Sequence, residues 1–492
     1  MEFQPFVSAM FHISILSAFL LIGKVVRVKF KFLQYIILPS AAVGGLIAIA
    51  VGPYSWGGVL NYPEFIVDIF DNFGQISIFL LNFVFAGMFL GRKIPEFKKS
   101  FREAGPQIIL GQILSWGQIM IPMFLSVFVL NRFYDLPDAF GTLIAIGFDG
   151  GASVAVGYTS TFKELGWYPE GIQLAIASGV VGIIAGCTLG VLLINWLVRK
   201  EHTEIADKPE DLPENIRKGL LTKDGFERAG TITIVPQSLE PLALHFALFG
   251  ISLLGGWLMV EALGSLELIG AFLSNSAWGS SIIVQALASI FNGLGLFFSF
   301  APLFPFAMVS GLLIQLYLNK IGQEILVDRG LVERLQGLAL EFCILAVFAS
   351  LNIPLVLESS IPLLVILIGG IIWTMSAALW ISPRIMPDYW AERLLVDYGQ
   401  SMGNVPVGMM LLRVVDPEFE TPVLEYFSYK HAFHAPIFFS ILAFLPIVAH
   451  MWGAEVVLLI STAVVVFCLV LAKVLYGGQN RSPVKDEFNK VA

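Results

Sequence analysis

The chain has 492 residues, of which 57% are hydrophobic and only 13% are charged, with a net charge of −8. Soluble chains carry about 25% charged residues, so this one has too little polar side chain to cover a water-facing surface. A soluble enzyme, a nucleic-acid binder and a disordered protein are excluded, and a bilayer-embedded chain is implied. Its apolar stretches are continuous over the length of a membrane-crossing helix, roughly 17–25 residues. They do not alternate as β-barrel strands do. The fold class is an all-α polytopic membrane protein. The first apolar run has no Lys or Arg before it and no small-residue cleavage site after it, so it reads as a span rather than a removed signal peptide. Cys187, Cys343 and Cys468 lie singly in apolar runs, with no disulfide or zinc-type spacing.

In chain order the expected spans are 7–23, 36–52, 74–90, 107–130, 171–197, 242–262, 302–318, 337–357, 361–381, 433–450 and 454–473, about 11 transmembrane helices. Three stretches fit neither span nor loop: 139–160, 281–300 and 391–412. Positive residues decide the sidedness, because Lys and Arg stay on the cytoplasmic side. Lys24, Arg27, Lys29 and Lys31 follow the first span; Arg92, Lys93, Lys98, Lys99 and Arg102 follow the third. The loop 53–73 between them has none. The N-terminus is therefore expected outside. The charged segment 199–241, with Lys320, Arg329, Arg334, Arg384, Arg393, Arg413, Lys430 and the C-terminal tail, is expected inside. That layout requires 139–160 to dip in and return to the outside, and 391–412 to dip in and return to the inside. Residues 281–300 stay open among spanning, dipping and lying on the surface.

Three short matches recur in the same order. Pro39-Ser-Ala-Ala-Val-Gly-Gly-Leu-Ile pairs with Pro305-Phe-Ala-Met-Val-Ser-Gly-Leu-Leu, Leu81-Asn-Phe-Val-Phe-Ala-Gly with Leu340-Glu-Phe-Cys-Ile-Leu-Ala, and the region of Asp149 with that of Asp397. Five spans per copy force the second copy upside down. The expected organisation is therefore two inverted five-helix repeats, residues 1–198 and 242–450, each with a re-entrant hairpin. A cytoplasmic linker at 199–241, with seven basic and nine acidic residues, joins them, and 451–492 forms an extra C-terminal helix and cytoplasmic tail. Inverted repeats with a binding site at their interface near mid-membrane are an architecture of secondary transporters.

Residues Tyr35-Ile-Ile-Leu-Pro39 with Gly44-Gly45, Phe148-Asp-Gly-Gly151 and Gly403-Asn-Val-Pro406 resemble the sodium/glutamate symporter family. The chain departs from that pattern at Ala152 and Ser153, where the family usually carries a His and a Thr, and at Val405, where it usually carries a Thr. The resemblance implies a sodium-coupled symporter of a small carboxylate or amino acid such as glutamate. It also implies a homodimer in the plasma (inner) membrane, in which a mobile domain carries the site across by alternating access.

Each hairpin arm of about ten residues is about 15 Å long as helix, half a hydrocarbon core of about 30 Å. The tips are expected to meet near the midplane, where open backbone is tolerated only beside a polar cavity or within protein. The expected ion and substrate site comprises Asp149, Gly150, Gly151, Ser153, Asp397, Gln400, Ser401, Gly403 and Asn404, with sodium on Asp149 and Asp397. An intramembrane carboxylate is costly and points to function, and sodium, a hard cation, takes oxygen ligands. The bland alternatives are that the acids face loop water and that the Ser and Asn side chains cap helix ends. Asn82 and Glu341 are expected to line the path or to pack between helices; His434 and His450, at span ends, are expected to be interfacial. Partners are a small anionic or zwitterionic solute, sodium and the lipid bilayer, with no nucleic acid and no further cofactor. The chain is not expected to be an enzyme. The alternatives kept are a proton-coupled transporter of another organic solute and an intramembrane aspartyl protease, which needs two Asp sharing a proton. No filter motif of a channel and no nucleotide-binding loop of a pump is present.

Overall fold

The computed structural model describes residues 5–55, 62–92, 97–204, 218, 229–275, 281–416 and 420–477. All regular structure among them is helical. The first half forms α1 (Pro5–Lys29), α2 (Lys31–Tyr35), α3 (Ser40–Val51), α4 (Glu64–Ala86) and α5 (Phe97–Phe128). Three short helices follow, α6 (Leu143–Gly147), α7 (Gly151–Gly157) and α8 (Thr159–Glu164), and then the long α9 (Glu170–Arg199). The second half forms α10 (Pro241–Gly264), α11 (Leu266–Asn275), α12 (Ile282–Ser299), α13 (Phe304–Lys320), α14 (Arg329–Ala349), α15 (Ile353–Glu358) and α16 (Ser360–Ile385). It ends with α17 (Trp390–Gly403), α18 (Val405–Val415), α19 (Val423–Leu442), α20 (Leu445–Trp452) and α21 (Ala454–Tyr476). Most of the expected linker 199–241 and the tail beyond 477 lie outside the described residues.

The protein is a multi-pass membrane protein. Eight helices among the described residues are long and apolar enough to cross a bilayer: α1, α4, α5, α9, α10 continued by α11, α16, α19 continued by α20, and α21. The other three expected spans form shorter or more charged helices. α3 has 12 residues, about 18 Å of helix, well short of a bilayer core. α13 has 17 residues and follows α12 at a bend of 97°. α14 has 21 residues but carries Arg329, Glu333, Arg334 and Glu341. The expected span 433–450 is interrupted between α19 and α20, where Pro446 opens the new helix.

The helices pack as two bodies. α1, α3, α4, α10, α13 and α14 surround two small cores, one built on Phe83, Phe249, Ala307 and Ala339, the other on Leu16, Ala48, Phe73 and Leu345. α5 to α7, α9 and α16 to α21 fill one large core, which continues into the first group through α3 (Ala41, Val43), α4 (Leu81, Phe85), α13 (Phe304, Met308) and α14 (Cys343, Ile344, Val347, Phe348). A hydrogen bond also crosses: Gln173 Nε2 on α9 donates to Ser350 O at the end of α14 (3.3 Å).

The large body contains two folded-back segments. The ring centroids of Phe140 and Phe162 lie 6.1 and 5.2 Å from that of Trp167, so the two ends of this segment lie together. Its middle, Phe148, reaches Gly182, twelve residues into α9 and about 18 Å along it by helical rise. The reversal falls at Asp149–Gly151, where Gly151 has φ +78°, a conformation that glycine adopts without penalty. The second segment is the pair α17–α18. Its arms touch so closely that a Cβ on Gly399 would stand 2.6 Å from Gly408 Cα. Its turn is Asn404, with φ +93°, and Pro406 lies in the first turn of α18.

Three cations expected in cytoplasmic loops are instead buried. Arg27 Nε donates to Leu38 O (2.7 Å) and so pins the turn before α3. Arg393 pairs with Asp388 and lies over the Tyr426 ring. Lys430 sits in mid-helix on α19, wholly enclosed. A charge count reads only which residues are basic, and a buried partner in another element is invisible to it.

Candidate functional site

The two turns meet. A Cβ on Gly151 would lie 3.5 Å from both Cβ and Nδ2 of Asn404, and 3.8 Å from Ser153 Oγ. Both segments rest on one stripe of α9. A Cβ on Gly179 would be 2.3 Å from Ala152 N, and one on Gly182 would be 2.4 Å from Met402 O. Small residues at these positions let the backbones approach, as in other membrane helix contacts. Gly44 and Gly45 serve the same purpose against Phe19 and Phe348 in the other body.

The opposite wall is α5, which turns a polar stripe inward: Gln107, Gly111, Gln112, Ser115 and Gln118 share one helical face. Gln118 Nε2 donates to Ser401 O (2.6 Å) and Thr374 Oγ1 (2.9 Å), fixing the backbone beside the second turn. α19 closes the wall with Lys430 and His434, one turn apart. Asp149 accepts from Ser115 Oγ (3.0 Å) and lies 3.5 Å from His434 Nε2. Asp397 accepts from Gln107 Nε2 (3.1 Å) and lies 3.3 Å from Lys430 Nζ. Lys430 Nζ also donates to Gln400 Oε1 (2.6 Å), while Gln112 Nε2 and His434 Nδ1 are 3.0 Å apart. Asp149, Asp397, Lys430 and His434 are all at most 2% exposed. A buried charge without a partner costs several kcal/mol, and here each carboxylate has a cationic or potentially cationic neighbour.

Several expected site residues therefore assemble. Gly151, Ser153 and Asn404 meet at the turns; Ser401 lies beside them through its backbone. Gly150 caps α7, and Gly403 packs on Ile183. Asp149 and Asp397 both face α5 and α19, but no hydrogen bond joins them; each is held by its own partners. That geometry does not make the proton-sharing pair of an aspartyl protease. His434, expected at an interface, is buried against Asp149, because α19 begins ten residues before the expected span. His450 is exposed at the end of α20. Asn82 donates its amide to Ile78 O within its own helix (2.8 Å), and its Oδ1 is buried without a partner.

Below the meeting point lies a cavity of about 180 Å³, lined by Pro39, Ile183, Leu340, Glu341, Asn404 and Pro406. Pro39 and Asn404 are the N-caps of α3 and α18, so two helix N-termini converge on it. Such ends carry free N–H groups and partial positive charge, which favour a carboxylate. Asn404 Oδ1 and Ser401 Oγ are buried without partners. A second, polar cleft of about 360 Å³ lies between the bodies at the other end of α7, bordered by Tyr54, Asp71, Gln75, Thr159, Gln173 and Asn352. Tyr54 hydroxyl donates to Asp71 there.

Residues 7–247 match the family model described as the sodium/glutamate symporter. No curated protein matches the chain. The resemblance first visible at Pro39, Gly44-Gly45 and Phe148–Gly151 is borne out over that span.

Proposed function

Starting from that family match over residues 7–247, we propose that the protein is a sodium-coupled secondary transporter of a small carboxylate or amino acid such as glutamate. It works by alternating access, with the large body sliding as an elevator against the smaller one. Residues 1–198 and 242–450 are inverted repeats, and the turns at Asp149–Gly151 and Asn404 are the tips of re-entrant hairpins entering from opposite faces. The protein is a homodimer in the plasma membrane, with its N-terminus outside and its C-terminus in the cytoplasm.

The observation that carries this reading is the contact of two glycine-bearing turns, one from each half of the chain, over a cavity onto which helix N-termini converge. Each half also contributes comparably to both bodies. α3, α4, α13 and α14, which hold the first two repeat matches, lie in the smaller one; the segments of Asp149 and Asp397 lie in the larger. In the cavity, the N-terminus of α18 suits the solute's carboxylate, and Glu341, which accepts from the Ala41 amide at the start of α3, suits its ammonium. The cavity's volume of about 180 Å³, below the roughly 300 Å³ of common ligand pockets, suits a small solute.

Uptake into proteoliposomes tests the reading. Labelled glutamate is expected to accumulate under an inward sodium gradient and to leak out when an ionophore collapses it. Asp149→Asn is expected to abolish accumulation while keeping the gel-filtration profile. Equal accumulation with and without the gradient, for every amino acid and carboxylate offered, would contradict symport with sodium. Uptake driven by a proton gradient alone would assign the proton-coupled alternative.

A further inference from the structure

Lys430 Nζ stands 2.6 Å from Gln400 Oε1 and 3.3 Å from Asp397 Oδ1, with both charged side chains at 0% exposure. These two oxygens are ones that a sodium ion would take, since a hard monovalent cation is held by carboxylate and amide oxygens. An ammonium offers the same unit charge to the same ligands, with the difference that it is tethered to α19 and cannot leave. The fold reserves space for it. Gly111 faces the lysine, and a Cβ there would fall 2.6 Å from Lys430 Cε and 3.2 Å from Nζ. Gln107 Nε2 donates to the same Asp397 oxygen, so Oδ1 already has two donors. Asp397 Oδ2 and Gln107 Oε1 are left without partners, but a hard cation takes more oxygens than these two.

The partner of Asp149 differs in kind. His434 carries charge only when protonated and stands 3.5 Å away. The two acids therefore occupy unequal environments, although they hold matching places in the two halves.

We propose that Lys430 is a built-in substitute for a coupling ion: the acidic site of the second hairpin is filled by the protein's own ammonium and binds no sodium. The word coupling rests on the transporter reading, whereas the ion count can be taken on purified protein without any transport.

The test is equilibrium binding of radioactive sodium to the full-length purified protein, with thermal unfolding in sodium chloride against choline chloride. Lys430→Met keeps the length of the side chain and removes the charge. It is expected to bind one more sodium ion per protomer than the wild type and to gain more thermal stability from sodium. Lys430→Met combined with Asp397→Asn leaves no unpaired charge, so it folds even where the single variant fails. It is expected to bind as many sodium ions as the wild type. A folded Lys430→Met with an unchanged count would overturn the proposal. So would a double variant that binds fewer ions than the wild type, because Asp397 would then already be a sodium ligand. Failure of the wild type to transport would leave these counts intact and refute the transport reading separately.

Discussion

At the level of single residues the site is a set of paired charges, each carboxylate with one oxygen on its partners and the other without one. Asp149 and Asp397 are legible from sequence because a carboxylate inside an apolar run is expensive and therefore rare. Their partners are not. Lys430 reads as a loop cation under the positive-inside rule, and His434 as a residue at a span end. Gln107, Gln112, Ser115 and Gln118 are uncharged and do not interrupt the hydropathy of α5, yet together they form its polar face. A sign was available in their spacing, since all lie within one side of a helix of 3.6 residues per turn. Gly111 tests how tightly that wall is built. Gly111→Ala places a methyl 2.6 Å from Lys430 Cε and is expected to cost about 1–3 kcal/mol by overpacking, read from thermal unfolding. Combined with Lys430→Ala the costs are expected not to add, because the second change removes the obstructed atoms. Simple additivity would mean that Gly111 acts elsewhere.

At the level of elements, glycine decides what packs. The chain reversals at Asp149–Gly151 and Asn404 were legible because clustered glycines in an apolar stretch allow a reversal that a span does not need. Gly182 and Gly186 on α9 read as close-packing positions, though nothing in the sequence told which backbones that face, extended by Gly179, receives. Those prove to be Ala152 and Met402, one on each folded-back segment. Gly179→Ala and Gly182→Ala push a methyl against backbone and are each expected to lower stability by about 1–3 kcal/mol. Gly250→Ala is the control. Nothing lies within 4 Å of its Cβ position, and alanine in mid-helix is expected to be neutral or stabilising by up to about 1 kcal/mol. Equal effects at all three positions would deny α9 its role as the shared bed of the two segments. The number of spans was the weakest part of the sequence reading. α3 is too short, α13 is bent away from α12, and α14 is too charged to be counted by hydropathy and length. Their neighbours, not their composition, fix their place: α3 is wedged between α1 and α14, with Gly44 against the backbone of Phe19 and Gly45 against Phe348.

For the whole molecule, the division into two bodies gives the transport proposal its mechanical content. On that proposal the body that holds both folded-back segments, α5, α9 and α19 moves as a unit, because its charged partners come from four elements and cannot separate without stranding a buried charge. The contacts between bodies are largely aromatic and apolar, such as Phe85 on Phe304 and Tyr158 on Phe304, and can slide without that penalty. Tethering Gln173 to Asn352, whose backbone amide donates to the Gln173 side chain (2.8 Å) across the interface, is therefore expected to stop uptake while leaving solute binding to the purified protein intact. Loss of binding as well would point to a site shared between the bodies.

The most direct measurement concerns the meeting of the two turns. Cβ positions 3.5 Å apart at residues 151 and 404 suit a disulfide, whose Cβ atoms stand about 3.5–4.5 Å apart. With the buried Cys187, Cys343 and Cys468 replaced by alanine, Gly151→Cys paired with Asn404→Cys is expected to cross-link under mild oxidation. A cross-link in the folded protein is the result expected of a site built where the turns meet. Failure to cross-link in a double variant that keeps the gel-filtration profile would contradict it.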